Sequence, residues 1–201
     1  MTATRIDGHA AAAELRDATR LRADAFAART GRRPSLVAVQ VGDSASSKVY
    51  TDSQARAAGE VGMDYQLRSL PETSTEADIR AELDAIGCDD SVDGVILQMP
   101  LPTGIDPHVV QQSIPPHKDA EGVHPQNLGW LFYRDAKSAA PCTPMAVVKL
   151  LRYTQTPLAG KEAVIVGHSE IVGKPIAMLL LVSAREAPTV RVCHVATRDL
   201  E

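Results

Sequence analysis

The sequence has little cysteine, no long apolar run and no excess of basic charge, and each shortage excludes a class of protein. Its three cysteines, Cys88, Cys142 and Cys193, are widely separated and form no CxxC pair, which argues against a zinc ribbon or a disulfide-rich scaffold. The longest apolar run, IAMLLLV, is far too short to cross a membrane. The N-terminal segment MTATRIDGHAAAAELRDATR is charged throughout and lacks a signal-peptide core. These features predict a protein of the reducing cytoplasm.

The charge balance narrows the choice of partner. Lys and Arg number 21 against 25 Asp and Glu, which gives a formal net charge of -4. A chain with no broad positive field is a poor partner for nucleic acid or an anionic membrane. The hydrophobic share of 44% is ample for a buried core, and the chain shows no internal repeat. A globular protein that binds small molecules is therefore expected.

Helical periodicity alternates with short β-branched runs along the chain, which is typical of an α/β fold with a mainly parallel sheet. The first helix is predicted from about His9 to Arg29, followed by the strand SLVAVQVG. A second α/β unit begins with the strand in EAVIVG. We therefore expect two domains, residues 1–140 and 141–201, with the boundary near Ala140.

Three local patterns predict where helices begin and where they are absent. Thr73 and Glu76 form the T-x-x-E pattern of a capping box ahead of the helical segment STEADIRAELDAIG. Pro144 is expected at the start of a helix in PCTPMAVVKLLRYT. Residues 102–126 are rich in Pro, His and Asp and are interpreted as a loop.

The turn GHSEIVG, from Gly167 to Gly173, links an apolar strand to a helix. Gly167 permits a tight turn, and Gly173 permits close packing or the approach of a ligand. The helix start is expected to offer free N–H groups to a phosphate. The spacing is not GxGxxG, so dinucleotide binding and packing without a ligand both stay open on this pattern alone.

A second pattern places Tyr50 and Gln54 one turn apart on a predicted helix, about 40° from each other around its axis. Glutamine holds ligands by hydrogen bonds but cannot transfer protons as an acid or base. Taken alone, the pair is also what an ordinary half-exposed helix face shows. The histidines His108, His117 and His124 lack the spacing of metal ligands, so no metal site is predicted.

Six segments of the chain stand out together: GDSASSKVYTDSQ, DGVILQMPLP, KDAEGVHPQNLG, PCTPMAVVKLL, GKEAVIVGHSEIVGKPIAMLL and VRVCHVATRDL. In their order and approximate spacing they resemble the methylenetetrahydrofolate dehydrogenase/cyclohydrolase (FolD) family. The resemblance implies an α/β folate-binding domain joined to a Rossmann-type NAD(P)-binding domain with a cleft between them, in a homodimer. It also implies oxidation of 5,10-methylenetetrahydrofolate by hydride transfer to a nicotinamide cofactor, followed by hydrolysis of the methenyl product.

The resemblance assigns catalytic positions to Tyr50, Gln54 and Gln98, and substrate contacts also to Leu97 and Met99. Gln54 stands where the family has a lysine, the residue on which the hydrolytic step depends, and Gln98 matches the glutamine that supports that lysine. Gln98 should therefore face a second carboxamide. Hydride transfer needs alignment of the reacting atoms rather than a protein acid or base. We expect the dehydrogenase reaction without the cyclohydrolase reaction.

Neighbouring basic residues do not replace the lost lysine. Arg56 lies two positions further along the helix, about 200° around the axis, and Lys48 fails on the same angular argument. A guanidinium is also unsuited to proton exchange near neutral pH.

The resemblance further assigns the pterin-binding carboxylate to Glu121, where the family has the shorter aspartate. In the cofactor site, His168 replaces an arginine and Val195 a serine, both of which contact the 2′-phosphate in NADP-using members. A largely neutral imidazole and an alkyl group are poor phosphate partners, so NAD is favoured over NADP. The remaining positions assigned to the cofactor are Gly167, Ser169, Ile171 and Gly173.

Family members continue well beyond the point where TRDLE ends this sequence, so a fragment of a longer protein is expected. Two functions stay open: an NAD-preferring methylenetetrahydrofolate dehydrogenase, and a folate-binding protein without catalysis. The second follows from the lost lysine, the altered acid and the early end taken together. Binding of both folate and NAD, rather than of folate alone, would distinguish them.

Overall fold

The computed structural model describes residues 5–43, 45–133, 139–182 and 185–198. The chain forms two compact units. The N-terminal unit is Ala12–Ala120, and the C-terminal unit is Glu121–Glu201 together with Met1–Ala11. The domain boundary near Ala140 stays a prediction.

The N-terminal unit is built on a three-stranded parallel sheet with the strand order β2-β1-β3. Its elements, in chain order, are α1 (Gly8–Thr30), β1 (Ser35–Val41), α2 (Ala45–Glu60), β2 (Asp64–Leu70), α3 (Glu76–Gly87), β3 (Gly94–Leu97) and α4 (Pro107–Gln111). Helix α2 therefore follows the carboxyl end of the central strand, β1.

The core of the N-terminal unit lies between the central strand and α3. Val37 and Val39 of β1 are almost completely buried, as are Ile79 and Leu83 of α3. The i, i+4 spacing of the two α3 residues places them on one face of the helix, where both meet the sheet. Removal of these side chains from water is the main driving force for folding of this unit.

The C-terminal unit contains two parallel strands and three helices among its described residues. They are α5 (Pro125–Tyr133), α6 (Cys142–Tyr153), β4 (Glu162–Val166), α7 (Gly173–Leu180) and β5 (Thr189–Cys193). The strands pair in register from Glu162 opposite Thr189 to Val166 opposite Cys193. The parallel α/β architecture predicted from the sequence is thus confirmed.

The capping box before α3 differs from the prediction. Thr75, not Thr73, is the N-cap, and its Oγ1 accepts a hydrogen bond from the Asp78 N–H at 3.2 Å. Asp78 Oδ2 in turn accepts from the Thr75 N–H at 2.9 Å. Aspartate performs the reciprocal role that the T-x-x-E pattern assigns to glutamate, so the assignment to Thr73 and Glu76 was wrong.

The segment 102–126 is also more structured than the predicted loop. It contains α4, where Asp106 Oδ1 accepts from the His108 N–H at 2.9 Å and Pro107 occupies the first helical turn. Its last residues enter α5, a helix that was not predicted. Helix α6 begins at Cys142, two residues before Pro144.

Candidate active site

Helix α2 carries Tyr50 and Gln54, for which the family resemblance implies catalytic positions. Tyr50 is 68% exposed, and Gln54, one turn later, is half-buried. Lys48 pairs with Asp52, with 3.2 Å between Nζ and Oδ2, at the i, i+4 spacing on a different part of the helix surface. The ammonium of Lys48 is therefore already paired with a carboxylate.

Gln98 brings β3 into contact with α2. It follows the last residue of β3, and its backbone N–H donates to the Val39 carbonyl at 2.8 Å. Its Nε2 donates to Gln54 Oε1 at 2.7 Å, as expected of two facing carboxamides. Because neither group ionises near neutral pH, the contact provides geometry but no proton transfer.

The two residues flanking Gln98 differ in access. Leu97 is 2% exposed and packs in the apolar core, so only its backbone is left for the substrate contact predicted at this position. Met99 is 42% exposed and precedes Pro100 through a cis peptide bond. The roles of both residues stay predictions.

Tyr65 belongs to this cluster and was missed from the sequence. Its hydroxyl donates to Gln54 Oε1 at 3.1 Å, so that oxygen accepts from two side chains. Burial raises the pKa of the Tyr65 phenol, and the negative charge of Asp52 adds to the rise. A titratable group thus does contact position 54, but it stays protonated at neutral pH.

The Lys-Asp pair of the KDAEG motif is part of the N-terminal unit. Lys118 is buried, and its Nζ donates to the Asp89 carbonyl at 2.7 Å. Asp119 is also buried and forms a parallel bridge with Val95 of β3. These contacts hold the motif along the sheet, so its first two residues serve structure.

The motif continues into the C-terminal unit. Glu121, the predicted pterin carboxylate, is half-buried. Gly122 has φ 68°, and a Cβ at this position would overlap the backbone of Ala140. A glycine is required here because of both the conformation and the close approach.

The strand-to-helix turn in the C-terminal unit needs both of its glycines. Gly167 has φ 110°, and its N–H donates to the Cys193 carbonyl at 2.7 Å. A Cβ on Gly173 would overlap the Gly167 carbonyl oxygen. The two ends of the turn are therefore in direct backbone contact, which favours the packing role that the sequence left open for Gly173.

Ser169 corrects the expectation of free N–H groups at the start of α7. Its Oγ accepts from the N–H groups of Val172 at 3.2 Å and Gly173 at 3.4 Å. Its carbonyl accepts from the Lys174 N–H at 3.0 Å. Since these donors are already bound, a phosphate would have to displace Ser169 to use them.

Two imidazoles lie together at the carboxyl ends of β4 and β5. The rings of His168 and His194 are 4.8 Å apart between centroids and nearly perpendicular, at 86°. His194 follows β5 and lies in a turn, where its Nδ1 accepts from the Ala196 N–H at 3.2 Å. Val195 directly follows His194 in the sequence, and Ile171 lies three residues after His168; both side chains are exposed. Carboxyl ends of parallel strands are where open α/β sheets bind ligands.

No group of three or more His, Cys, Asp or Glu side chains in the described ranges is arranged to hold a metal ion. Across the same part of the chain, no helix has both the length and the apolar character needed to cross a membrane.

Two sequence profiles of one family match the chain. The profile of the tetrahydrofolate dehydrogenase/cyclohydrolase catalytic domain matches residues 6–121. The profile of the NAD(P)-binding domain of the same family matches residues 141–201. Each profile thus covers one of the two groups of candidate residues.

Individual relatives agree with the profiles. The bifunctional protein FolD of Sorangium cellulosum is 43% identical over all of this chain, which spans 69% of that protein. The crystal structure of the Campylobacter jejuni bifunctional FolD enzyme superposes with a TM-score of 0.91 at 37% identity, covering 98% of this chain and 68% of the other. The Trypanosoma brucei FolD, solved with NADP and an inhibitor, gives a TM-score of 0.90 at 32% identity, covering 98% and 67%. Profile, sequence and structure agree, and this chain belongs to the tetrahydrofolate dehydrogenase/cyclohydrolase family.

Proposed function

We propose that this protein oxidises 5,10-methylenetetrahydrofolate to the methenyl form with NAD and does not hydrolyse the product. The hydrogen bond between Gln98 and Gln54 carries the proposal. The family resemblance assigns the lysine of the hydrolytic step to position 54, and a carboxamide at that position cannot gain and lose a proton as hydrolysis requires. The bifunctional relatives supply the expectation of both reactions, and Gln54 is the reason to separate them.

In this proposal the folate is bound and oriented by Tyr50, Gln54, Gln98 and Glu121. Tyr50 offers an exposed aromatic ring for stacking and a hydroxyl for hydrogen bonding. Gln54 and Gln98 support each other through their contact and hold polar atoms of the substrate. Glu121 supplies the carboxylate for the N–H groups of the pterin. Orientation of this kind is what hydride transfer requires of a protein.

The C-terminal unit fits a nicotinamide dinucleotide. The backbone contact between Gly167 and Gly173 forms a compact turn at the end of β4, and His168 and Val195 are exposed at the ends of adjacent strands. When bound, the nicotinamide accepts the hydride. Gly167, Ser169, Ile171 and Gly173 would line the backbone side of the cofactor.

NAD is the proposed cofactor because of the two residues at the expected 2′-phosphate position. His168 already contacts His194 edge to face, and Val195 offers an exposed alkyl group without a hydrogen-bond donor. A phosphate dianion needs charged donors, whereas a ribose hydroxyl is satisfied by one neutral partner. The T. brucei relative was solved with NADP, so the family as a whole does not fix this choice.

Parallel assays of the two reactions test the proposal. Methylenetetrahydrofolate with NAD should give the methenyl product at a catalysed rate, while methenyltetrahydrofolate should disappear at the rate seen without protein. Catalysed hydrolysis would contradict the assignment of Gln54. Absence of dehydrogenase turnover, combined with calorimetric binding of folate but not NAD, would favour a folate-binding protein without catalysis instead.

Three further expectations belong to this proposal: the first comes from the family resemblance, and the other two come from the sequence itself. The protein should be a homodimer, reside in the cytoplasm and change domain near Ala140. Light scattering, fractionation of cells and limited proteolysis measure these properties separately.

A further inference from the structure

The carboxamide oxygen of Gln54 is shared by two donors from two different strands. Gln98 Nε2 approaches it from the end of β3 at 2.7 Å, and the Tyr65 hydroxyl approaches it from β2 at 3.1 Å. A carbonyl oxygen has two lone pairs. Both acceptor sites of Gln54 Oε1 are thus occupied within the protein, while its Nε2 carries two N–H donors.

We propose that Tyr65 is a positioning residue of the folate site, which fixes the Gln54 amide so that position 54 offers the substrate N–H donors and no acceptor. This inference rests on the proposed function. The chemical partner of Gln54 is then an acceptor on the folate, such as a carbonyl oxygen or an unprotonated ring nitrogen. A carboxamide at position 54 also takes no proton from water, which agrees with the proposed loss of hydrolysis.

The surroundings of Tyr65 hold its ring in place and keep its hydroxyl protonated, so that it remains a hydrogen-bond donor. Strand β2 pairs with the central strand, with Tyr65 opposite Leu36, so the position of the ring is set by the sheet. Burial and the nearby Asp52 raise the pKa of the phenol, and Asp52 is itself paired with Lys48. The hydroxyl therefore keeps its proton through the neutral range and continues to donate to Gln54.

Calorimetric titration with 5-formyltetrahydrofolate tests whether Tyr65 acts through Gln54. The proteins compared are the unaltered chain, Tyr65→Phe, Gln54→Ala and the double variant. Tyr65→Phe should weaken binding about 3- to 10-fold, the size expected for one hydrogen bond. The double variant should bind no more weakly than Gln54→Ala alone, because two changes to one interaction are not additive. Tyr153→Phe, in the C-terminal unit, is the matched control and should leave the affinity unchanged.

A spectroscopic measurement on the unaltered protein keeps the test independent of how well a variant folds. The side-chain NH₂ signals of Gln54, assigned from triple-resonance spectra of the unaltered protein, should shift when the ligand binds. In Tyr65→Phe the free-state signals should move, because the amide is no longer fixed on both sides.

The outcomes separate the inference from the proposed function. Failure of the unaltered protein to bind the ligand would overturn both. Binding with unchanged affinity in Tyr65→Phe, additive losses in the double variant, or Gln54 NH₂ signals that do not respond to ligand would overturn the role of Tyr65 and leave the folate function in place.

Discussion

The two units both present candidate residues near the carboxyl ends of parallel strands, but they support them differently. In the N-terminal unit, β1 and β3 are mostly buried, and Gln98 follows directly from a buried strand. In the C-terminal unit, β4 alternates between exposed and half-buried residues, and β5 is similarly accessible. Gln54 and Gln98 are therefore linked to a buried strand, whereas His168 and Val195 stand at an accessible edge.

This difference in packing determines how each group of candidate residues should respond to substitution. A change in the N-terminal cluster affects a network of hydrogen bonds linked to buried strands, so geometry and chemistry change together. A change at His168 or Val195 alters mainly what a ligand contacts, because little packing depends on those side chains. A substitution in the first unit should thus change geometry and chemistry together, whereas one in the second unit should change mainly the choice of cofactor.

The largest expected effect is a gain of chemistry inside the packed unit. Gln54→Lys places an ammonium beside Gln98 and the Tyr65 hydroxyl, both of which are able to accept a hydrogen bond from it. General acid–base help of this kind is worth about 10²–10⁴-fold in rate. Hydrolysis of methenyltetrahydrofolate, followed by loss of its absorbance, should rise above the uncatalysed rate by a measurable part of that factor.

Arg56→Lys is the control for this change, since it adds a lysine on the same helix about 200° away from position 54. It should leave hydrolysis at the background rate. If Gln54→Lys folds, binds folate and still shows only background hydrolysis, the loss of the lysine is not what separates the two reactions.

The next effect tests the packing difference itself. Leu83 is completely buried against the sheet, and Leu83→Ala should reduce the free energy of unfolding by about 2–5 kcal/mol. Leu181, which is 43% exposed in the C-terminal unit, is the matched control, and Leu181→Ala should have a much smaller effect. Urea denaturation followed by circular dichroism measures both; equal losses would show that the units do not differ in packing as described.

The sequence predicted most of the helices and strands and part of the candidate site. The features that it did not predict have physical causes. The contact between Gln54 and Gln98 was predicted. Tyr65 was not, because its contact depends on how α2 packs against β2, which local periodicity does not specify. The capping box was misplaced because Thr73 and Thr75 both lie near the helix start and differ only in which acidic residue reaches back. Helix α5 was missed because its proline and glycine resemble the loop before it.

A third prediction concerns backbone contact in the second unit. Gly173→Ala forces a methyl group against the Gly167 carbonyl, and the resulting shift of the turn should cost about 1–3 kcal/mol of stability. The thermal transition should fall, and binding of NAD should weaken with it. Gly129→Ala, in α5, is the control, because its new methyl group meets nothing within 4 Å and should be neutral or stabilising. Equal behaviour of the two variants would rule out the contact as the reason for glycine at 173.

The cofactor preference should be transferable because its two residues are accessible. His168→Arg with Val195→Ser supplies a guanidinium and a hydroxyl to the 2′-phosphate, and should shift the ratio of NADP to NAD use by about tenfold or more. Each single change should give part of the shift, with non-additivity because both address one phosphate. Rates with both cofactors at pH 8 measure the ratio. Better use of NADP by the unaltered protein at pH 8 would place the phosphate contacts elsewhere.

The smallest effect compares an ion pair in each unit. Arg32 donates to both carboxylate oxygens of Asp93, at 2.6 and 2.9 Å, and the Ser35 N–H donates to the same group at 2.8 Å. The hydrogen bond from Arg32, followed by that from Ser35, lowers the pKa of Asp93. In the C-terminal unit, Arg191 and Glu162 lie 2.9 Å apart with both side chains more than half exposed.

A carboxylate whose folded pKa lies below its unfolded value, near ~4, stabilises the protein fully above that value and loses the contribution as pH falls through the folded pKa. Asp93→Asn should therefore lower the melting temperature by a few degrees at pH 7, and the difference from the unaltered protein should shrink as the pH falls below 4. Glu162→Gln should change the melting temperature little at any pH, because an exposed pair contributes little in water. Melting curves of the three proteins between pH 7 and pH 3 decide the matter. A pH-independent difference for Asp93→Asn would mean that the shape of this side chain matters and its charge does not. An equal loss of melting temperature in Glu162→Gln would mean that the ion pair of the N-terminal unit contributes no more to stability than the exposed pair of the C-terminal unit.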